Sequence, residues 1–211
     1  MDQHIEMRNP QSLPDKWQAG AIQNRKYEAV VIGVSAGGLK AIKTVLPNLP
    51  SDFALSVIIA MHRHVDSDDY VEQSLDSECN IHVKQADEKE SIRKGVAYFA
   101  PPNYHLLIED DKTFSLSVEG AVNYARPSID VLFESAAYVY GRELIGTILT
   151  GANNDGSRGL KRIKDSGGLV IVQKPDTAEF DDMLRAAIAA AEPYHILPLE
   201  EIGVFLKKLQ T

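Results

Sequence analysis

The run Ala29-Val30-Val31-Ile32-Gly33-Val34 carries no polar residue on either side, and it breaks at once into Ser35-Ala36-Gly37-Gly38. A strand with nothing to offer water on either face belongs inside a sheet that is covered on both sides, the position of a parallel strand in an α/β protein. Two other segments repeat the design. Val57-Ile58-Ile59-Ala60-Met61 runs into His62, and Ile148-Leu149 runs into Thr150-Gly151-Ala152-Asn153-Asn154-Asp155-Gly156. Each sets a polar side chain just past the end of an apolar run, where open α/β sheets build their sites.

Further apolar runs predict strands at 81–83, 96–99 and 169–172, beside those at 30–34, 55–61 and 144–149. Helical spacing marks Leu39, Ile42, Val45 and Leu46, then 67–75, 128–140 with Ser128 as N-cap, 156–165, 180–191 and 199–209. Segments 106–108 and 114–118 flank Asp110-Asp111-Lys112 and read as a β-hairpin. Strands alternating with helices imply right-handed βαβ units. The expected fold is a doubly wound, mostly parallel sheet flanked by helices, with the antiparallel hairpin at its edge. Residues 1–26 are polar and without period, a tail or linker, or else a short arm packed through Trp17; the domain runs from 27 to 211.

Lys and Arg number 22 against 30 Asp and Glu, a net charge of -8, which argues against a nucleic-acid partner and an acidic membrane surface. The single cysteine, Cys79, excludes an internal disulfide and suits a reducing compartment. Residues 1–26 lack the apolar stretch of a signal peptide, and no run approaches the ~18 residues of a membrane span. These features predict a cytoplasmic protein without membrane insertion.

Gly33-Val34-Ser35-Ala36-Gly37-Gly38 is a strand-to-helix turn built of small residues. It fits an exposed nucleophile, an anion site at the helix N-terminus, or a plain glycine-rich connection. Serine at position 35 mismatches a dinucleotide turn, and the lysine of a P-loop is absent. His62 lies beside Ser35 if the first two strands are neighbours, within reach as a general base; His64, two residues on, is the alternative. His62-Arg63-His64-Val65-Asp66, with Asp68 and Asp69, also matches part of a His-x-His-x-Asp-His metal run, but the closing histidine is serine at 67. Helix capping by Asp66 to Asp69 is the simpler reading, and no metal is expected. Asp155 fits the acid of a triad or the N-cap of its own helix. If the three act together, the order Ser, His, Asp along the chain excludes the α/β-hydrolase superfamily, which runs Ser, acid, His.

Taken together, these residues resemble the catalytic domain of the chemotaxis protein-glutamate methylesterases, the CheB type, from about Tyr27 onward. The matching segments also include Ala100-Pro101-Pro102-Asn103-Tyr104-His105, Arg126-Pro127-Ser128-Ile129-Asp130 and Val172-Gln173-Lys174-Pro175-Asp176-Thr177-Ala178. The resemblance implies a cytoplasmic enzyme that hydrolyses glutamate γ-methyl esters on the helices of methyl-accepting chemoreceptors, releases methanol, and in some members deamidates glutamine. Ser35 would be the nucleophile, His62 the general base and acid, and Asp155 its orienting partner, with no cofactor. Ala36, Ala152 and Asn153 would face the oxyanion, Arg126 would meet the substrate or pair with Asp130, and Met183 would cover the site or sit in the core. His105 and Tyr104 are expected to be structural more than catalytic. The family pattern Thr-Gly-Met-Gly-x-Asp-Gly is departed from at Ala152-Asn153, which motivates an alternative: a catalytically silent binding module for receptors or signalling partners. The 26 residues ahead of Tyr27 are too few for the receiver domain common in such proteins, so phosphorylation control in cis is not expected; the chain is constitutively active, controlled by a separate regulatory protein, or part of something larger.

Overall fold

The computed structural model describes residues 25–64 and 69–210. Its centre is a seven-stranded sheet in the order β3-β4-β2-β1-β7-β8-β9, with every neighbouring pair parallel. The strands are β1 (Ala29–Val34), β2 (Ser56–Met61), β3 (His82–Gln85), β4 (Val96–Phe99), β7 (Leu144–Ile148), β8 (Leu169–Gln173) and β9 (His195–Leu197). Helices α1 (Gly38–Val45), α2 (Tyr70–Glu78), α3 (Ile129–Tyr140), α4 (Ser157–Asp165), α5 (Asp182–Ala191) and α6 (Leu199–Lys208) connect and cover them.

The unbroken apolar runs are explained by two cores, one on each face. Val30, Ile32, Val57 and Ile59 pack with Ile42, Val45 and Leu206, on the side of α1 and α6. Val31, Ile58, Ile148 and Val170 pack with Phe133, Leu160 and Leu184, on the side of α3, α4 and α5. Alternate residues of one strand thus enter different cores, and polar residues have no place on either face.

β1 lies between β2 and β7, so the winding reverses beside it. Gly33 stands level with Ala60 and with Ile148 across the two ladders. The chain therefore leaves β1, β2 and β7 at one end of the sheet, at the point where doubly wound folds open a crevice.

Two features differ from expectation. The hairpin, β5 (His105–Ile108) and β6 (Phe114–Ser117), forms its own two-stranded antiparallel sheet and does not extend the main one. It buries Leu106, Ile108 and Phe114 in the core beneath α3, so side-chain packing, not ladder bonding, fixes it. The edge strand β9 was not expected; three residues ahead of Pro198 are too short to show a period. The expected start of the second helix, with its capping residues Asp66, Ser67 and Asp68, lies outside the described residues, as does Trp17.

Candidate active site

Ser35 follows β1 directly. Its amide donates to the carbonyl of Thr150 at 3.0 Å, and its own carbonyl accepts from Gly38 N at 2.8 Å, which closes the turn. Gly37 sits in the left-handed region at φ 75°, where a side chain would be strained. Gly151, on the loop after β7, would bring a Cβ to 3.0 Å from that of Ser35 and 2.6 Å from Met183 Cε. Small residues thus let two loops close on one hydroxyl. The amides of Ala36 and Ala152 find no acceptor among the described residues.

His62 follows β2, and its amide extends the ladder to Val34 O at 3.1 Å. His62 Nδ1 lies 3.1 Å from Ser35 Oγ, and His62 Nε2 lies 2.9 Å from Asp155 Oδ2. An ionised carboxylate only accepts, so the proton belongs on Nε2 and Nδ1 is left as the acceptor for the hydroxyl. The ring is reversed from the serine-protease arrangement, in which Nε2 faces the serine. His62, and not His64, faces Ser35. The backbone that delivers it is anchored by Arg63, whose buried guanidinium makes a bidentate pair with Glu72 at 2.7 and 3.1 Å and lies over the Phe99 ring.

Asp155 is fully buried. Oδ2 accepts from His62 Nε2 and from the Ile129 amide at 2.7 Å. Oδ1 accepts from Ser128 Oγ at 2.9 Å, Asn123 Nδ2 at 3.0 Å, Gly156 N at 3.1 Å and Asp130 N at 3.2 Å. Burial alone would raise its pKa. The hydrogen bonds from His62, Asn123 and Ile129, with the charge of His62, outweigh that and hold the carboxyl below its ordinary range. Asp155 therefore does act at a helix N-terminus, but at that of α3, not of its own α4. Ser128, expected as the cap of α3, makes no capping bond and gives its hydroxyl to Asp155.

The remaining expected residues divide. Asn153 is close: Oδ1 accepts from Asp155 N at 3.1 Å, which turns Nδ2 to within 3.2 Å of His62 Nδ1. Arg126 does not pair with Asp130. Its guanidinium is consumed by Asn103 Oδ1 at 2.5 and 3.0 Å and by the carbonyls of Val118 and Glu119, because the loop ahead of α3 folds back over it. Met183 is fully buried in the first turn of α5, a core residue under Gly151. His105 is buried and structural: its Nδ1 accepts from Ser128 N, and its Nε2–H donates to Gly120 O, both at 3.1 Å. Both ring nitrogens of His62 are committed to Ser35 and Asp155. No group of three metal-ligating side chains occurs among the described residues; Asp66 and Asp68 lie outside them.

Three supports had no sequence signal. Asn123 gives Nδ2 to both Asp155 and Asp130, each at 3.0 Å, from a loop without period. Glu72, on α2, meets Arg63 from nine residues away in the chain. Thr150 takes Gln173 Oε1 on its amide at 2.9 Å, while its hydroxyl lies 3.0 Å from Ala36 O, tying the two loops together.

An open parallel sheet with an acid, an imidazole and a hydroxyl in line at its carboxyl edge has the arrangement that hydrolytic α/β enzymes use for acyl transfer. The chain belongs to the CheB methylesterase family, a hydrolytic family whose model matches residues 30–206. It is similar, at 55% identity over 183 residues, to a putative protein-glutamate methylesterase/protein-glutamine glutaminase of Leptospira interrogans, covering 87% of this chain and 95% of that one. A protein-glutamate methylesterase/protein-glutamine glutaminase of Archaeoglobus fulgidus is 35% identical, over 84% of this chain and 52% of its own length. The crystal structure of the Thermotoga maritima CheB methylesterase catalytic domain superposes with a TM-score of 0.84 at 30% identity, over 88% of this chain and all of that one. Among the described residues no helix is long and apolar enough to cross a membrane.

Proposed function

We propose that this chain hydrolyses the γ-methyl esters of glutamate on the cytoplasmic helices of chemoreceptors, and that residues 27–211 form the catalytic unit behind a polar tail. The observation that carries the reading is the line from Ser35 Oγ through the His62 ring to Asp155, at 3.1 and 2.9 Å. His62 Nδ1 takes the hydroxyl proton as Ser35 Oγ bonds to the ester carbonyl carbon. The oxygen that becomes negative is met by the amides of Ala36 and Ala152, which have no acceptor among the described residues. The tetrahedral intermediate collapses, the C–O bond to the methoxy group breaks, and the proton on Nδ1 leaves with it as methanol. Water repeats the sequence on the acyl-enzyme, releasing glutamate and restoring Ser35. With glutamine the same steps release ammonia. Asp155 keeps the proton on Nε2 throughout. The proposed setting is the cytoplasm.

A second reading has one specific observation in its favour: Asn153 donates to the same Nδ1 that Ser35 needs. A site blocked in this way would bind receptor helices without turning them over. Methanol release from a methylated receptor cytoplasmic fragment, by wild type and by Ser35→Ala, separates the two. Release by wild type well above the Ser35→Ala background is expected. Binding of the fragment with no release above that background overturns the esterase reading in favour of the second.

A further inference from the structure

Beside the relay, the segment between β6 and α3 ends in the turn Val122-Asn123-Tyr124-Ala125. Val122 N donates to Ala125 O at 3.1 Å, and Ala125 N to Val122 O at 2.9 Å. Both central residues have positive φ, 50° at Asn123 and 62° at Tyr124. A two-residue turn of this hand accepts asparagine first and strongly prefers glycine second, because a Cβ in the left-handed region meets its own backbone. Tyrosine at the second position is strained. It receives nothing from the fold in exchange: Tyr124 is fully exposed and makes no hydrogen bond or ring contact among the described residues. Observed strain of this kind is a pointer to function.

The turn is also fixed in place. Asn123 is bolted to Asp155 and Asp130, and Arg126 is held by Asn103 and by the carbonyls of Val118 and Glu119. Tyr124 therefore stands on the wall of a groove that His62, Asn153, Asn103 and Arg126 also line. Val118, on the same segment, leaves a further apolar side chain in solvent. A rigidly presented tyrosine offers a large contact area for little lost freedom, the property of an interface anchor.

We infer that Tyr124 is a specificity-determining residue, the aromatic anchor for the helical segment whose glutamyl ester enters the groove. The inference rests on the esterase reading above. Its test compares wild type, Tyr124→Ala, Tyr124→Phe and Tyr124→Gly on a methylated receptor fragment and on a small acetate ester too short to reach the turn. Tyr124→Ala and Tyr124→Gly raise KM for the fragment about tenfold, the size of an ordinary anchor truncation, with kcat within about twofold. Tyr124→Phe keeps the wild-type KM. The loss in kcat/KM on the small ester is at least roughly threefold smaller than on the fragment. Tyr124→Gly melts no lower than wild type, since the strain is relieved, so its raised KM is not a folding defect. A wild-type KM in both Tyr124→Ala and Tyr124→Gly, with wild type turning the fragment over, overturns the inference and leaves the esterase reading standing. No turnover of the fragment by wild type overturns that reading and this inference with it.

Discussion

The two ends of the relay are built in opposite ways. At Asp155 six donors converge on one buried carboxylate, three of them backbone amides, those of Ile129 and Asp130 in α3 and of Gly156 just ahead of α4. At Ser35 the hydroxyl touches His62, and the amides of Ala36 and Ala152 nearby have no partner among the described residues. Desolvating a carboxylate is costly unless every lone pair is used, and the structure uses them by starting α3 there. Leaving amides bare costs little where substrate and water can reach them. One end is thus made by the fold and the other is kept open for a ligand.

If that contrast holds, mutations at the two ends separate activity from stability. The largest effect is expected from Ser35→Ala: kcat falls on the order of 10⁶-fold while the urea midpoint stays within error, because no packing depends on the hydroxyl. A clear fall in the midpoint would break the contrast. Asp155→Asn reduces kcat by about 10⁴-fold, since an amide cannot enforce the Nε2–H tautomer. Asp155→Ala in addition lowers stability by about 3–5 kcal/mol, the cost of stranding partners of a buried charge. Stability equal to that of Ser35→Ala would show that the amides of α3 do not need this acceptor.

Asn123 sharpens the comparison through pH. Its amide serves two carboxylates that are shifted in opposite directions. Asp155 is held low, as above. Asp130 is held high, first by burial, with the charge of Asp155 adding and the Gly159 amide, Arg158 and Asn123 opposing. Asp155 therefore contributes stability that is complete above its unfolded pKa and is lost as pH falls through its lower folded value. Asp130 contributes stability that is complete below its unfolded pKa and is lost as pH rises through its higher folded value. Asn123 favours the ionised form of both. Asn123→Ala should cost about 1.5–3 kcal/mol at pH 7, the range for hydrogen bonds to charged groups, and less near pH 3. Urea titrations at the two pH values measure this, and an equal loss at both would count against a charge-assisted role. Ser35→Ala, by contrast, should follow the wild-type pH curve in parallel.

What the sequence disclosed follows the same division. The runs around Val31, Ile58 and Ile148 were readable as buried parallel strands because both faces of each strand are apolar, and strand ends locate sites in such sheets. Ser35 and His62 come directly from two of those ends, and Asp155 from the loop that follows the third. The helper groups do not. Asn123, Glu72 and Gln173 reach the site by tertiary contact from loops or distant elements, and polar residues in loops carry no period. Arg126 fits either a substrate or Asp130 four residues on, and only tertiary structure decides: Asn103 and the carbonyls of Val118 and Glu119 take its guanidinium. The hairpin was legible as a hairpin and not as a separate sheet, because ladder partners beyond the hairpin depend on where other strands fall.

Asn153 joins the two ends and gives the smallest predicted effect and the sharpest test of the site. Its Oδ1 is taken by the Asp155 amide, so its Nδ2 must point at His62 Nδ1, the atom that Ser35 also faces. Two donors then share one lone pair, and the Asn153 bond must break before Nδ1 can take the serine proton. A neutral hydrogen bond contributes about 0.5–1.5 kcal/mol, so Asn153→Ala should raise kcat/KM on a small ester roughly two- to tenfold. A fall of similar size would mean that the amide turns to the oxyanion during the reaction and stabilises it more than it hinders the base. Either outcome fixes whether the departure at this position restrains the open end of the relay or completes it.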